Sequence, residues 1–204
     1  MKDSGLYSKF QSGFTRRRSC QDHIVRLADE FKKAINIKQF TLSVMIDLEK
    51  AFDRVWHQGL LYKMEQLGLH CNVLKFVEDF LKDRSIHVRV GAAMKCTYFL
   101  DSGTPQGSRL SPLLFIIMIN DLLQSSNDVK LALFADDSSM WKSGPNLPAL
   151  SRDVQRYLTE TATFFEEWDF RISVNKTVSI LFSRSEHIPT DVILMINNVT
   201  IKFE

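Results

Sequence analysis

The sequence has few of the features that mark secreted, membrane-spanning or zinc-binding proteins. Its three cysteines, Cys20, Cys71 and Cys96, are far apart, so no pair has zinc-knuckle spacing, and their odd number fits poorly with a disulfide framework. The longest apolar run, 112–119, is too short to cross a bilayer. The polar residues after Met1 do not form a signal segment. We therefore expect reduced thiols in an intracellular protein, nuclear or cytoplasmic, with no membrane partner.

Strong charge of either sign is also missing. The 204 residues carry a formal net charge of +2, which by itself is weak support for a nucleic-acid partner. The distribution is more informative, because Arg16, Arg17 and Arg18 are adjacent and a second basic group lies within 82–89. Each group is either a solvated face or a contact for phosphates. The five histidines have no metal-ligand spacing.

Apolar periodicity predicts helices and strands in mixed order, with no repeat or long linker between them. Helices are predicted over 24–35, 60–67, 73–81, 111–123 and 147–168, and strands over 42–47, 86–90, 95–100, 129–135, 138–141, 178–182, 192–196 and 199–203. Ser111 before Pro112 predicts an N-cap for the fourth helix. This order predicts an α+β fold with a mainly antiparallel sheet, with helices on one face and the other face free for substrate.

Two adjacent aspartates, Asp136 and Asp137, interrupt an apolar segment that begins at Leu131. Neighbouring acids in an apolar setting repel each other unless a cation neutralises them, whereas at an exposed turn they need none. Asp47 favours the cation, because it ends a second apolar strand, and two such strands side by side bring Asp47 and Asp136 together. Carboxylates without cysteine or histidine neighbours suit hard ions such as Mg²⁺. Two such ions about 3.5–4 Å apart support in-line phosphoryl displacement.

Three blocks in a fixed order carry a specific resemblance. They are Asp-Leu-Glu-Lys-Ala-Phe-Asp at 47–53, Gly-Thr-Pro-Gln-Gly-Ser-Arg-Leu-Ser-Pro-Leu-Leu-Phe at 103–115 and Phe-Ala-Asp-Asp at 134–137. The set resembles palm motifs A, B and C of reverse transcriptases from non-LTR retrotransposons of the LINE, jockey-like type. Gln-Ser-Gly-Phe at 11–14 resembles the motif just upstream of motif A, and 168–182 resembles motif D.

The resemblance implies a metal-dependent polymerase site. It makes Asp47 and Asp136 the direct ligands of two Mg²⁺ ions, with Mn²⁺ as an alternative metal. Asp137 is implied to be an auxiliary catalytic acid beside them. Arg16, Arg17 and Arg18 match the fingers segment that contacts template or triphosphate, where arginine binds phosphate without reading sequence.

The resemblance also implies nucleotide-binding residues. Phe52 matches the bulky residue that excludes a ribose 2′-hydroxyl, although a core aromatic is the alternative. Gln106 and Gly107 match a loop near the incoming nucleotide, or else form an ordinary turn. Lys176 matches the motif D lysine near the departing pyrophosphate, or is a solvated lysine. Asp53 is expected to form structural hydrogen bonds.

We therefore expect a single reverse-transcriptase domain fragment, with 1–40 and 57–100 as fingers and 41–56 and 101–204 as palm. The motifs reach almost from end to end of the chain, so the first fingers motif, the thumb and the endonuclease are expected to be absent. The expected partners of such a module are an RNA template, a DNA primer and a deoxynucleoside triphosphate. Two alternatives stay open: an inactive remnant that at most binds nucleic acid, and an RNA-templated RNA polymerase.

Overall fold

The computed structural model describes residues 8, 10–15, 18–91, 93–122, 129–184 and 192–204. In chain order the elements are α1 (Cys20–Asn36), β1 (Phe40–Ile46), a 3₁₀ turn (Ala51–Arg54), α2 (His57–Gln66), α3 (Cys71–Leu81), β2 (Arg84–Val90), β3 (Ala93–Leu100), α4 (Ser111–Ile119), β4 (Lys130–Phe134), β5 (Asp137–Gly144), α5 (Leu147–Glu167), β6 (Val178–Phe182), β7 (Met195–Ile196), β8 (Val199–Thr200) and β9 (Lys202–Phe203). Among the described helices, none has the length and apolar character needed to span a bilayer.

The chain forms two compact units. The described residues of Tyr7–Glu49 and Asn120–Glu204 form one, here called the sheet unit, and those of Lys50–Ile119 form the other, here called the hairpin unit. The assignment of segments to fingers and palm stays a prediction.

The sheet unit is built on five strands in the order β4-β5-β1-β6-β9. Three neighbouring pairs are antiparallel and only β6 with β9 is parallel, which confirms the predicted α+β fold with a mainly antiparallel sheet. The neighbour of β1 is β5, with Ile46 opposite Ser138. The expectation that the strand before Asp136 lies beside β1 was therefore wrong, because the second strand of that hairpin lies between them.

Helices lie on both faces of this sheet. On one face Lys142 of β5 pairs with Asp153 of α5 at 2.7 Å. The opposite face carries Trp141, whose ring packs edge-on against Phe31 of α1 at 6.0 Å between centroids. Phe31 also contacts Phe182 of β6. The prediction that helices cover a single face was therefore wrong. Helix α5 packs on one face, and α1 packs on the opposite face, where it contacts Trp141 and Phe182.

A short extended segment covers the outer edge of β4. Leu133 of β4 donates its N–H to Phe10 O at 3.0 Å and accepts at its carbonyl oxygen from Ser12 N at 2.8 Å. Gln11 thereby forms a parallel bridge with Leu133. Residues 10–13, here called the edge arm, thus cover the edge of the sheet along β4, where the N–H and C=O groups of that strand would otherwise be unpaired.

The hairpin unit joins two helices, a two-stranded ribbon and a buried helix. The ribbon of β2 and β3 is antiparallel, as predicted. Helix α4 is apolar nearly all round and is buried, which confirms the prediction for this segment. The ammonium of Lys63, a buried residue of α2, donates to Met118 O at 2.5 Å, so it satisfies one of the carbonyls left over at the end of α4.

Two details of the predicted elements were wrong. Helix α4 ends at Ile119 and a turn follows at 120–122, whereas the prediction extended it to Leu123, which lies outside the described residues. Ser111 is the first helical residue rather than the N-cap, because its hydroxyl donates to Pro105 O at 2.6 Å. The predicted turn at Asn197 and Asn198 is confirmed, since both have positive φ between β7 and β8.

Candidate active site

The three predicted carboxylates lie at one end of the sheet. Ile46, the last residue of β1, pairs with Ser138 of β5, so Asp47, the next residue of the chain, lies at the end of the sheet where Asp137 begins β5. Asp136 occupies the two-residue loop between β4 and β5, which Phe134 and Asp137 close as a pair. The fold therefore brings Asp47, Asp136 and Asp137 to the same end of the sheet. Asp137 is exposed, whereas Asp47 and Asp136 are half-buried.

The Asp136 loop has a strained backbone. Its first residue, Ala135, has a φ of 56° and is buried. Residues other than glycine rarely adopt this backbone conformation, so contacts from the surrounding residues must stabilise the loop.

Asp47 has an unusual environment for a carboxylate. Its Oδ1 atom is buried and has no hydrogen-bond partner among the described residues. The Lys176 ammonium lies 3.4 Å from that oxygen, close enough for an ion pair but without hydrogen-bond geometry. A buried charged oxygen without donors is costly, so a carboxylate in this state favours a cation.

The turn at 173–177 explains how Lys176 reaches Asp47. Ser173 N donates to Asp47 O at 2.8 Å, and the hydroxyl of Thr177 donates to Ser173 O at 2.9 Å. Asp47 N in turn donates to Thr177 Oγ1 at 3.4 Å. These bonds tie the segment that resembles motif D to the end of β1, so Lys176 belongs to the carboxylate site.

The donor set fits a hard divalent cation. Asp47 and Asp136 offer oxygen ligands, and Oδ1 of Asp47, which has no hydrogen-bond partner among the described residues, is an oxygen that a cation would satisfy. Within the described residues, no three acidic, histidine or cysteine side chains converge closely enough to hold a metal by themselves. Magnesium typically takes one or two carboxylates together with water and substrate phosphates, so two half-buried aspartates suffice for that mode of binding.

Phe52, Gln106 and Gly107 all belong to the hairpin unit. Phe52 is half-buried and packs on Phe115 with 4.8 Å between ring centroids. Gln106 is exposed and donates from Nε2 to Asp53 Oδ1 at 3.1 Å. Gly107 has a φ of 86°, with open space where a Cβ would be. The predicted structural role of Asp53 agrees with its bond to Gln106, and the nucleotide-binding roles stay predictions.

The loop that carries Gln106 is anchored at Gly103. Its carbonyl oxygen accepts from Arg84 Nη1 at 2.6 Å and lies 2.7 Å from His57 Nε2. Burial lowers the pKa of Arg84, and the Asp53 carboxylate opposes that shift. Gly103 itself has a φ of 81°, and a Cβ there would collide with the backbone of Asp53. Arg84 belongs to the basic group within 82–89, which was predicted to be either a solvated face or a phosphate contact, and in the structure it holds this loop.

Of the predicted arginine cluster, Arg16 and Arg17 lie outside the described residues. Arg18 is described, and its Nη1 donates to the Gln11 carbonyl oxygen. Phosphate binding by these three arginines stays a prediction. Cys20 and Cys71 are exposed free thiols, and the side chain of Cys96 lies outside the described part of the chain.

One residue of the site was missed by sequence reasoning. The side chain of Gln11 accepts a hydrogen bond from Ala135 N, next to Asp136. The signal was present in the motif 11–14, which was recognised only as a family block. The contact with the loop could not be predicted from the sequence because Gln11 and Ala135 are 124 positions apart.

Comparisons with known proteins identify the family of this chain. The family model described as "Reverse transcriptase (RNA-dependent DNA polymerase)" matches residues 1–202. The chain is 30% identical over 182 residues to the RNA-directed DNA polymerase from mobile element jockey of Drosophila melanogaster, covering 86% of this chain and 20% of that protein. It is 31% identical over 192 residues to a probable RNA-directed DNA polymerase from transposon BS of the same species, covering 90% and 21%.

Solved structures give the same fold. A telomerase from Candida tropicalis, in complex with a fragment of telomeric RNA, has a TM-score of 0.64 at 14% identity and covers 88% of this chain and 31% of that chain. A telomerase from Candida albicans has a TM-score of 0.59 at 17% identity and covers 88% and 33%.

The fold is that of a polymerase palm. The chain belongs to the reverse transcriptase (RNA-dependent DNA polymerase) family, which confirms the resemblance to reverse transcriptases of non-LTR retrotransposons. It spans about a fifth of the length of the curated relatives it matches.

Proposed function

We propose that this chain is the catalytic module of an RNA-directed DNA polymerase of a mobile element. The observation that carries the proposal is the placement of Asp47 and the Asp136 loop at the same end of the sheet, with the Asp47 Oδ1 atom buried and without a hydrogen-bond donor among the described residues. Family membership supports the reaction class, and the names of the jockey and BS relatives support RNA as the template.

The proposed reaction is nucleotidyl transfer. The 3′-hydroxyl oxygen of a DNA primer forms a bond to the α-phosphorus of a deoxynucleoside triphosphate, and the bond from that phosphorus to pyrophosphate breaks. Asp47 and Asp136 would hold two Mg²⁺ ions or their Mn²⁺ equivalents, which when bound favour loss of the primer hydroxyl proton and stabilise charge on the leaving oxygen. The exposed Asp137 contributes negative charge beside them.

The remaining residues would bind the nucleotide and the strands. Lys176, already beside Asp47, can move its ammonium to the departing pyrophosphate because its side chain is 70% exposed. Phe52 would exclude a ribose 2′-hydroxyl, and the loop of Gln106 and Gly107 would lie near the incoming nucleotide. Basic residues of the 16–18 segment would contact template or triphosphate.

Primer extension on an RNA template tests this proposal. We would use a chimera in which this chain replaces the matched segment of the jockey polymerase, and compare it with Asp136→Asn. The matched control is Asp29→Asn, an exposed acid of α1 paired with Lys33. We expect Asp136→Asn to lower extension by more than about 100-fold, since a metal ligand supplies several kcal/mol to the transition state. Equal extension by both aspartate variants would refute the catalytic assignment.

A second candidate is an inactive remnant that binds nucleic acid. It is favoured by the exposed ribbon of β2 and β3, which carries the aromatic residues Tyr98 and Phe99 on one strand and the basic residues His87 and Arg89 on the other. Aromatic and basic side chains together bind single strands through stacking and phosphate contacts. This candidate expects RNA retention by the 204-residue chain that weakens steeply with salt, and no nucleotide incorporation by the chimera at any Mg²⁺ concentration.

A further inference from the structure

The side chain of Gln11 bridges the edge arm and the Asp136 loop. It is 1% exposed, and its Oε1 atom accepts from Gly13 N at 2.7 Å and from Ala135 N at 3.1 Å. Both partners are donors, so they require the amide oxygen at this position and determine the orientation of the amide group.

This orientation leaves the amide nitrogen of Gln11 buried and without a hydrogen-bond partner among the described residues. An unmade hydrogen bond of a buried donor destabilises the folded chain. An apolar residue of similar length would avoid that cost but would leave the N–H groups of Gly13 and Ala135 without this acceptor. The compensation lies at Ala135, whose buried N–H receives an acceptor from Gln11.

Gly13 permits this contact. A Cβ built on Gly13 would collide with Ala135 N and would lie 3.0 Å from both Phe134 C and Gln11 Oε1. The backbone of the edge arm therefore lies directly against the loop that holds Asp136. Any side chain at position 13 would push the arm and the loop apart.

The contact acts on a strained loop. Ala135 has a φ of 56°, and the residue that follows it is Asp136. The hydrogen bond from Gln11 and the close approach of Gly13 both fall on Ala135, so they hold the backbone that aims the Asp136 carboxylate. Groups that orient a metal ligand in this way typically change metal affinity 10- to 100-fold when removed.

We propose that Gln11 is a positioning residue for Asp136, acting through the amide of Ala135. The inference rests on the proposed function, because it concerns the same carboxylate site. It adds to that site a residue more than a hundred positions away, together with Gly13, which makes the contact possible.

The test uses the 204-residue chain and does not depend on polymerisation. Gln11→Met removes the acceptor at nearly constant length, Gly13→Ala forces the arm away, and a double variant combines them. The control is Thr15→Val, which removes the 3.1 Å bond from Thr15 Oγ1 to Gly13 O without touching the loop. Each chain is titrated with Mg²⁺ while the amide signals of residues 47 and 136 are followed, and hydrogen exchange is measured at Ala135 and Val44.

We expect Gln11→Met to raise the apparent Mg²⁺ dissociation constant about 10-fold and to speed exchange at Ala135, with Val44 in β1 still protected. Gly13→Ala should have the same two effects. The double variant should bind Mg²⁺ no more weakly than the weaker-binding single variant, since both substitutions act on one contact. Thr15→Val should bind Mg²⁺ like the unaltered chain. If Gln11→Met does not fold, Gly13→Ala carries the same comparison.

The outcomes separate the two proposals. Saturable Mg²⁺ binding that is equal in the unaltered chain, Gln11→Met and Gly13→Ala would overturn the positioning role and leave the proposed function standing. No saturable Mg²⁺ binding by the unaltered chain would overturn the proposed function, and the positioning role with it. A lower melting temperature with unchanged Mg²⁺ affinity would make Gln11 a purely structural residue.

Discussion

Lys176 Nζ lies 3.4 Å from Asp47 Oδ1, an oxygen that is buried and has no hydrogen-bond partner among the described residues. The ammonium therefore serves as counterion to this carboxylate in the metal-free protein. A divalent cation at Asp47 and the Lys176 ammonium would compete for the same oxygen. This competition ties the nucleotide-binding lysine of the proposed site to its metal ligand.

Removal of the lysine charge should strengthen metal binding in the absence of nucleotide. Exposed ion pairs contribute about 0.2–1 kcal/mol, so Lys176→Met should lower the Mg²⁺ dissociation constant by about 1.4- to 5-fold. Calorimetric titration of the 204-residue chain measures this change. Lys33→Met is the control, because Lys33 is similarly exposed and pairs with Asp29 on α1. Weaker Mg²⁺ binding by Lys176→Met would contradict the competition.

Asp47→Asn should separate function from stability. The substitution keeps the shape of the side chain and removes a charge from a buried oxygen, while it also weakens the pair with Lys176. These effects oppose each other, so we expect the free energy of unfolding to change by less than about 1 kcal/mol. Magnesium affinity should fall by more than about 100-fold. Urea unfolding and Mg²⁺ titration of the same sample would show the contrast, and a parallel loss of both would contradict it.

Phe52→Val tests the choice of sugar. Phe52 is half-buried against Phe115, so its ring both packs in the hairpin unit and presents a partly exposed surface. If that surface excludes a 2′-hydroxyl, the smaller side chain should reduce the preference of the chimera for deoxynucleotides over ribonucleotides by about 10-fold or more. Phe115→Leu alters the same ring pair from its buried side and should keep the preference. Unchanged sugar selection in Phe52→Val would favour the core-aromatic role, and a preference of the unaltered chimera for ribonucleotides would favour the RNA-polymerase alternative.

The buried phenol of Tyr157 should cause the folded chain to lose stability in alkaline solution. It is 2% exposed, and burial raises its pKa to about 12, with a smaller contribution from Glu160. The unfolded chain loses the phenol proton near pH 10 while the folded chain keeps it, so the stabilisation is present below pH 10 and is lost as pH rises toward 12. We expect a loss of about 2 kcal/mol from this group.

Unfolding free energies measured between pH 9 and pH 12 would test this expectation, with those limits set roughly by the two pKa values. Tyr157→Phe should flatten the decline, since phenylalanine has no proton to lose. Tyr98→Phe should keep it, because Tyr98 is 52% exposed. Equal slopes in the two variants would show that other groups cause the decline.

The local sequence pattern predicted most of the helices and strands, but it did not predict which of them pack side by side. The regular apolar spacing of 147–168 predicted α5 almost to the residue, because a helix that packs one face on a sheet must repeat that face in sequence. Helix α4 has no such stripe, and its end was misplaced. The partner of β1 was also misassigned, because strand pairing depends on groups far apart in the chain, and alternation along one strand does not identify its neighbour.

The same limit applied to the candidate site. Asp47, Asp136 and Asp137 were predicted because acidic residues that end apolar strands are conspicuous in a linear sequence, and their catalytic role stays a prediction. Their surroundings were not found: Gln11 contacts a residue 124 positions away, and Lys176 reaches Asp47 through a turn held by hydrogen bonds to the end of β1.

The amino-acid sequence alone determined the family and which three carboxylates are candidates for the site, since motif blocks and polar residues in apolar strands are local properties of the chain. Only the tertiary structure decided which of their atoms are buried and which groups lie beside them. Burial and hydrogen-bond partnership depend on every segment that packs around an atom. The unpartnered Oδ1 of Asp47 and the contact of Gln11 with Ala135 are therefore properties of the folded chain.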